Sequence, residues 1–160
     1  MCGIAGFVGA WSPGLARAMT EAVAHRGPDG HGLWSDAWSG GGVALGHRRL
    51  SIIDLSEAAA QPMATPDGRP VLAYNGEIYN FRALRAELEQ GGAVFRTRSD
   101  TEILLALFAR DGLDCVSRLE GIFAFAVWDR EARILSLARD PLGVKPLYYA
   151  ALPQGVLFAS

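Results

Sequence analysis

Apolar runs along this chain are short and broken by glycine-rich stretches. Ile4 to Val8, inside CGIAGFVG, is apolar and bounded by glycines, which predicts a buried strand near the chain start. Leu15, Met19, Ala22 and Val23 recur near helical spacing and predict a short amphipathic helix over 15–24. HRGPDGHG, His25 to Gly32, holds too many glycines and a proline for regular structure and predicts a loop. Val43 to Arg48, Leu50 to Asp54 and Val71 to Tyr74 predict strands, and Asn75-Gly76 follows the last as a turn signal. Asn80 is placed to cap a helix carrying Leu84 and Leu88, which Gly91 and Gly92 end. Ser99 and Glu102 have capping-box spacing ahead of Ile103, Leu104, Leu107 and Phe108, in a helix that stops near Gly112. Gly121 to Trp128, Ile134 to Ala138, Leu147 to Ala150 and Val156 to Ala159 then read as strands covered on both faces. A sheet buried on both faces lies between two layers, so the pattern predicts a stacked α+β architecture.

Composition narrows the function classes. The 160 residues support one domain, and half of them are hydrophobic, so a sizeable core is within reach. A formal net charge of −2 gives no basic surplus for nucleic acid or anionic lipid. No apolar run is long enough to span a membrane, and the N-terminus lacks the pattern of a secretory signal. Two cysteines make neither a disulfide framework nor a zinc site, which points to a reducing cytoplasm. His25, His31 and His47, with Asp29 among them, match no zinc spacing and are read as loop or hydrogen-bonding residues, with no metal. Gly40-Gly41-Gly42 lacks the Lys-Ser/Thr of a phosphate loop and reads as a turn, while Cys115 reads as a small buried hydrophobe.

Cys2 is the most informative residue. Initiator methionine is generally removed before a small side chain, so Cys2 is expected to become the first residue, with a free α-amine. That pairs a nucleophile and a base in one residue, with a reference amine pKa of about 7.7–8 and a thiol pKa of about 8.5.

MCGIAGFVG, HRGPDG, GHRRLSIIDL, YNGEIYN, SDTE, GIFAFAVWD and RDPLGVKPLYY occur in this order. Together they resemble the glutaminase domain of glutamine-hydrolysing asparagine synthetases, a class II glutamine amidotransferase of the N-terminal nucleophile hydrolase kind. The resemblance covers residues 2–160 as one domain. It implies a four-layer αββα fold with two stacked antiparallel sheets. It also implies L-glutamine as substrate, with glutamate and ammonia as products.

On this resemblance Cys2 is the nucleophile, and Asn75 and Gly76 form the oxyanion hole. Arg49 pairs with the substrate α-carboxylate, and Asp100 with its α-ammonium, with Glu77 beside it. Leu50, Ser51, Ile52 and Ile53 line the site. HRGPDG supports the nucleophile, and Asp140 and Pro141 serve packing and turn formation. Structural alternatives stay open at this level: a hairpin turn for Asn75-Gly76, a helix cap for Asp100, a solvated strand arginine for Arg49. This half-reaction needs no cofactor; ATP and Mg belong to a synthetase domain that receives the ammonia and is absent from these residues. The chain stops at VLFAS inside an expected strand, so it is read as a fragment or a free-standing subunit, with aspartate as the acceptor the family branch implies. A homo-oligomer is left open. Two rival readings remain: a non-catalytic interaction or regulatory domain of the same fold, and an amide hydrolase or amidotransferase with another acceptor.

Overall fold

Strand pairing in the computed structural model, which describes residues 1–50, 54 and 56–160, builds two antiparallel sheets. The first has the order β2-β3-β1-β9-β8, from β1 (Gly3–Gly9), β2 (Gly30–Trp38), β3 (Gly41–Arg49), β8 (Tyr148–Leu152) and β9 (Gly155–Ala159). The second runs β4-β5-β6-β7, from β4 (Met63–Ala64), β5 (Pro70–Ile78), β6 (Gly121–Asp129) and β7 (Ile134–Arg139). Helix α1 (Pro13–Ala22) lies on the first sheet; α2 (Phe81–Gln90) and α3 (Asp100–Asp111) cover the second.

Residue parity explains the stacking. On β3, Val43 and Leu45 face the second sheet, and Ile4 and Phe158 join them there. Val71 and Ala73 of β5 and Ala124, Ala126 and Trp128 of β6 face back into the same layer. The alternate residues Leu72, Tyr74, Ile78, Phe123, Phe125 and Val127 point outward into a second core with Leu84, Leu88, Ile103, Leu104 and Leu107. Phe7 and Ala44 meet Ala16 of α1 on the far side. The layers are therefore α, β, β, α, as the resemblance implies. Truncating a fully buried side chain such as Phe125 costs about 3–5 kcal/mol.

Several expectations from the pattern are corrected. The expected loop over His25 to Gly32 is partly strand: β2 starts at Gly30, and the run to Trp38 was not foreseen. β2 is a sheet edge whose residues alternate between exposed and half-buried, so it shows no apolar run. Asn75-Gly76 is no turn. Both sit inside β5, opposite Ala124 and Phe123. Gly76 is required there because a Cβ would come within 2.8 Å of Phe123 Cα and run into the Ile122 carbonyl. Within the expected strand Leu50 to Asp54, Leu50 and Asp54 lie outside any strand, and Ser51 to Ile53 fall outside the described residues. β6 is buried on both faces, but β8 is an exposed edge, with Tyr148 and Tyr149 about 70% accessible (69% and 72%). The stripe of α1 that is buried centres on Ala16 and Thr20; Ala22 is exposed.

Helix ends follow the sequence more closely. Ser99 caps α3, its Oγ accepting from Glu102 N–H at 3.4 Å. The Glu102 carboxylate reaches past Ser99 to Thr97 N–H, at 2.7 Å, so the capping box is displaced by two residues. Gly112 ends α3 with φ +61°. Asn80 stands at the N-cap of α2, yet its side chain bridges Arg118 O and Glu120 N–H instead.

Candidate active site

At one end of the sandwich the sheets part around a pocket of about 180 Å³, and it gathers residues far apart in sequence. Cys2, Arg49, Leu50, Asn75, Gly76, Glu77 and Asp100 all line it. His47, Asp54, Gln61, Tyr74 and Lys145 line it as well and were not singled out from sequence as site residues. Ser51, Ile52 and Ile53 lie outside the described residues.

Cys2 precedes β1, whose Ile4 pairs with His47 of β3. The Leu50 N–H donates to Cys2 Sγ at 3.3 Å, and Sγ lies 3.6 Å from Leu50 O. The Cys2 carbonyl accepts from Arg26 Nε at 3.2 Å, which gives the HRGPDG segment the supporting position expected of it. Cys115, by contrast, is fully buried, and that burial pushes its thiol up to about 11.

β5 supplies the facing wall. Phe123 turns both its N–H and C=O toward Asp140, so its partner Gly76 directs its own N–H away from β6. β4 covers β5 only at Val71 and Leu72. Beyond it, side chains take over the free edge. Tyr74 N–H donates to Gln61 Oε1 at 2.6 Å, and Ile78 N–H donates to Asp100 Oδ2 at 3.1 Å. The Gly76 N–H lies between these two. The Asn75 side chain rises from the inward face of β5 into the space between the sheets, and its buried Nδ2 has no hydrogen-bond partner among the described residues.

The charged residues are held from behind. Arg49 donates to Asp54 O at 2.5 Å and to Ser56 O at 3.0 Å, which fixes its guanidinium at the pocket wall. Asp54 accepts from Ser56 and from Arg98 N–H, and these bonds hold its carboxyl down at about 2. Asp100 is the first residue of α3, capped by Ser99, so its carboxylate is not the helix cap. Oδ2 accepts from Tyr74 O–H at 2.7 Å. Burial raises the Asp100 pKa despite these bonds, and burial beside Asp100 keeps Tyr74 protonated. The arrangement can offer a thiol, unfilled amide donors, a guanidinium and a carboxylate to one small guest.

Parity along each strand could have found two of the overlooked residues. His47 continues the inward series Val43, Leu45, and Tyr74 continues the outward series. Gln61 and Lys145 come from irregular segments and carry no such signal.

The fold is that of a glutamine amidotransferase domain. The family model for the glutamine amidotransferase domain matches residues 1–160, and the chain belongs to that family. It is 44% identical over 146 residues to asparagine synthetase [glutamine-hydrolyzing] 1 of Bacillus subtilis, covering 91% of this chain and 22% of that protein. It is 44% identical over 177 residues to a putative asparagine synthetase [glutamine-hydrolyzing] of Mycobacterium tuberculosis, covering all of this chain and 27% of that one. The chain thus spans about a quarter of these relatives' length. Among solved structures, glutamine phosphoribosylpyrophosphate amidotransferase from B. subtilis, complexed with ADP and GMP, superposes with a TM-score of 0.82 at 24% identity, over 99% of this chain and 41% of that one. That likeness speaks for the fold. Among the described residues no helix is long and apolar enough to cross a membrane.

Proposed function

We propose that this chain hydrolyses the side-chain amide of L-glutamine and serves as the ammonia-supplying part of a larger synthetase. The observation that carries the reading is the pocket shared by Cys2 and the buried, unpartnered Asn75 amide. A donor left unfilled beside a nucleophile is suited to charge that appears only during reaction.

Removal of Met1, which itself lines the pocket, opens space and frees the Cys2 α-amine. The amine takes the thiol proton, and sulfur bonds to the glutamine δ-carbon. The carbonyl electron pair moves to oxygen, where Asn75 Nδ2 and Gly76 N–H stabilise it. The tetrahedral species collapses, the C–N bond breaks, and the amine returns its proton to the departing ammonia. Water then cleaves the γ-glutamyl thioester, releasing glutamate and restoring the thiol. Arg49 pairs with the α-carboxylate; Asp100, with Glu77 at the rim, pairs with the α-ammonium. Leu50 completes the wall. Thiol, amine and fixed dipoles supply every step, so the half-reaction requires no cofactor. The relatives' names, glutamine-hydrolysing asparagine synthetases, suggest a synthetase domain or subunit as receiver of the ammonia, and the family resemblance makes it one that uses ATP to amidate aspartate. A cytoplasmic setting suits a reactive free thiol.

Intact mass should show Met1 absent, and diazo-oxo-norleucine should alkylate Cys2 stoichiometrically. Cys2→Ala should abolish ammonia release from glutamine. Retained activity in that variant, or labelling at Cys115, would refute the mechanism.

A further inference from the structure

His47 and Asn75 face each other across the space between the sheets. His47 shares the inward face of β3 with Val43 and Leu45; Asn75 shares the inward face of β5 with Val71 and Ala73. Both are almost wholly buried, at 1% and 2% exposure, and both line the pocket that holds Cys2. His47 Nε2 lies 3.1 Å from Tyr74 O. A carbonyl can only accept, so Nε2 carries the ring proton. Burial, reinforced by the charge on Arg49, lowers the His47 pKa to about 4, against the raising effect of the Tyr74 bond. The ring is therefore neutral near pH 7, and Nδ1 is a bare lone pair.

Among the described residues Nδ1 has no hydrogen-bond partner, and neither does Asn75 Nδ2. One unfilled acceptor and one unfilled donor thus belong to residues that line the same pocket from opposite sheets. Leaving buried polar groups unpaired is costly, so a guest that satisfies both is favoured. A primary carboxamide has this complementary pattern, one acceptor oxygen and a donor NH₂ on one carbon. We infer that His47 Nδ1 accepts a hydrogen bond from the side-chain NH₂ of glutamine while Asn75 Nδ2 donates to its carbonyl oxygen, making His47 the residue that selects an amide over an ester. This rests on the glutaminase reading, and it adds a contact to the leaving group that the nucleophile and oxyanion donors do not provide.

Two substitutions divide the two ring nitrogens. His47→Gln can keep a donor for Tyr74 O but puts no acceptor at the Nδ1 position. His47→Asn can put its amide oxygen at the Nδ1 position but loses the anchor to Tyr74. The experiment compares kcat/KM for L-glutamine and for L-glutamate γ-methyl ester, which has no amide N–H, in the wild type and both variants. His47→Gln should lower the glutamine value by about 10- to 100-fold, the range for one lost buried partner. Its ester value should change by less than about 3-fold, within the effect of a contact the ester never makes. His47→Asn should lose activity on both substrates alike and keep an amide-to-ester ratio near that of the wild type. Diazo-oxo-norleucine also lacks the amide N–H, so it should alkylate Cys2 of His47→Gln at close to the wild-type rate. An unchanged ratio in His47→Gln, an equal shift of ratio in both variants, or failure of His47→Gln to alkylate would make His47 purely structural and overturn the inference. A wild type that neither alkylates nor hydrolyses either substrate would instead bring down the glutaminase reading itself.

Discussion

Two aspartates of this molecule are almost equally shielded from solvent, at 4% exposure for Asp100 and 3% for Asp140, yet Asp100 lies deep among protein atoms and Asp140 lies close to the surface. Burial pushes both carboxyls up. At Asp140 the backbone N–H groups of Lys145, Val144 and Phe123, at 3.0, 2.9 and 3.2 Å, outweigh it and hold the pKa below the usual value. At Asp100, Tyr74 O–H, Ile78 N–H and the N–H groups of Asp100 and Thr101 do not offset the deeper burial, and the pKa stays raised. Asp140 is closed in by the turn it organises, 140–145, and by β6. Asp100 opens on the pocket. A carboxylate ringed by backbone donors is finished as a structural element. One that is deeply buried next to a cavity is suited to a cationic guest, and a substrate ammonium is such a guest.

The contrast breaks most visibly at Asp140. Asp140→Ala strands the buried Phe123 N–H and the part-buried N–H groups of Val144 and Lys145; a buried one costs about 1–3 kcal/mol when unpaired and the others less, so stability should fall on the order of 3 kcal/mol. Urea unfolding reads this directly. A midpoint within error of the wild type would show that Asp140 is not the organiser of its turn.

Asp100→Ala should divide its effect differently. Glutamine binding should weaken by about 2–5 kcal/mol, the cost of leaving a buried charge without its partner. That is about 30- to 3,000-fold in the Michaelis constant. Stability should fall by only about 1–3 kcal/mol, from Tyr74 O–H and Ile78 N–H losing an acceptor. If the Michaelis constant holds steady while stability drops, Asp100 is structural like Asp140, and the ammonium partner must be sought at Glu77.

The pair also shows what the sequence could convey. The ordered segments from MCGIAGFVG to RDPLGVKPLYY brought Cys2, Arg49, Asn75, Gly76 and Asp100 to notice, and the pocket gathers all five. Doubly apolar β6 announced a buried middle layer. β2 stayed hidden because an edge strand buries too little to leave an apolar trace. Asn75-Gly76 misled for a local reason: the same dipeptide suits a hairpin turn and a strand whose neighbour crowds out any Cβ. Gln61 and Lys145 reach the pocket through tertiary packing alone.

His47 sharpens the comparison from the basic side, as a group whose burial favours its neutral form against the pull of its Tyr74 carbonyl partner. Its pKa falls from 6.5 to about 4, chiefly through burial. Because the folded value lies below the unfolded one, the unfolded chain takes up the proton first. The contribution is therefore complete above pH 6.5 and is lost as pH falls toward 4. The full loss is about 3 kcal/mol, at 1.36 kcal/mol per unit. Urea stability measured from pH 7.5 to 4 should fall more steeply for the wild type than for His47→Gln, a pH window that brackets the reference histidine value of about 6.5. Parallel profiles would mean that His47 is not held neutral by the fold.

Ser99 gives the smallest effect and separates capping from binding beside Asp100. Its Oγ accepts from Glu102 N–H and lies 2.8 Å from Thr97 Oγ1, and it borders the same pocket as Asp100. Ser99→Ala removes the cap of α3 while leaving the Asp100 carboxylate and its Tyr74 and Ile78 donors in place. A lost N-cap costs about 1 kcal/mol. The Glu102 bonds to Thr97 and Arg96 still tie down the start of the helix, which favours the lower part of the usual range. The urea midpoint should shift accordingly, and the Michaelis constant for glutamine should stay within about 2-fold, since a cap gives the substrate no partner. A rise in that constant comparable to the rise for Asp100→Ala would mean that the helix start positions Asp100 for the ammonium. Capping and binding would then be one function at this end of α3.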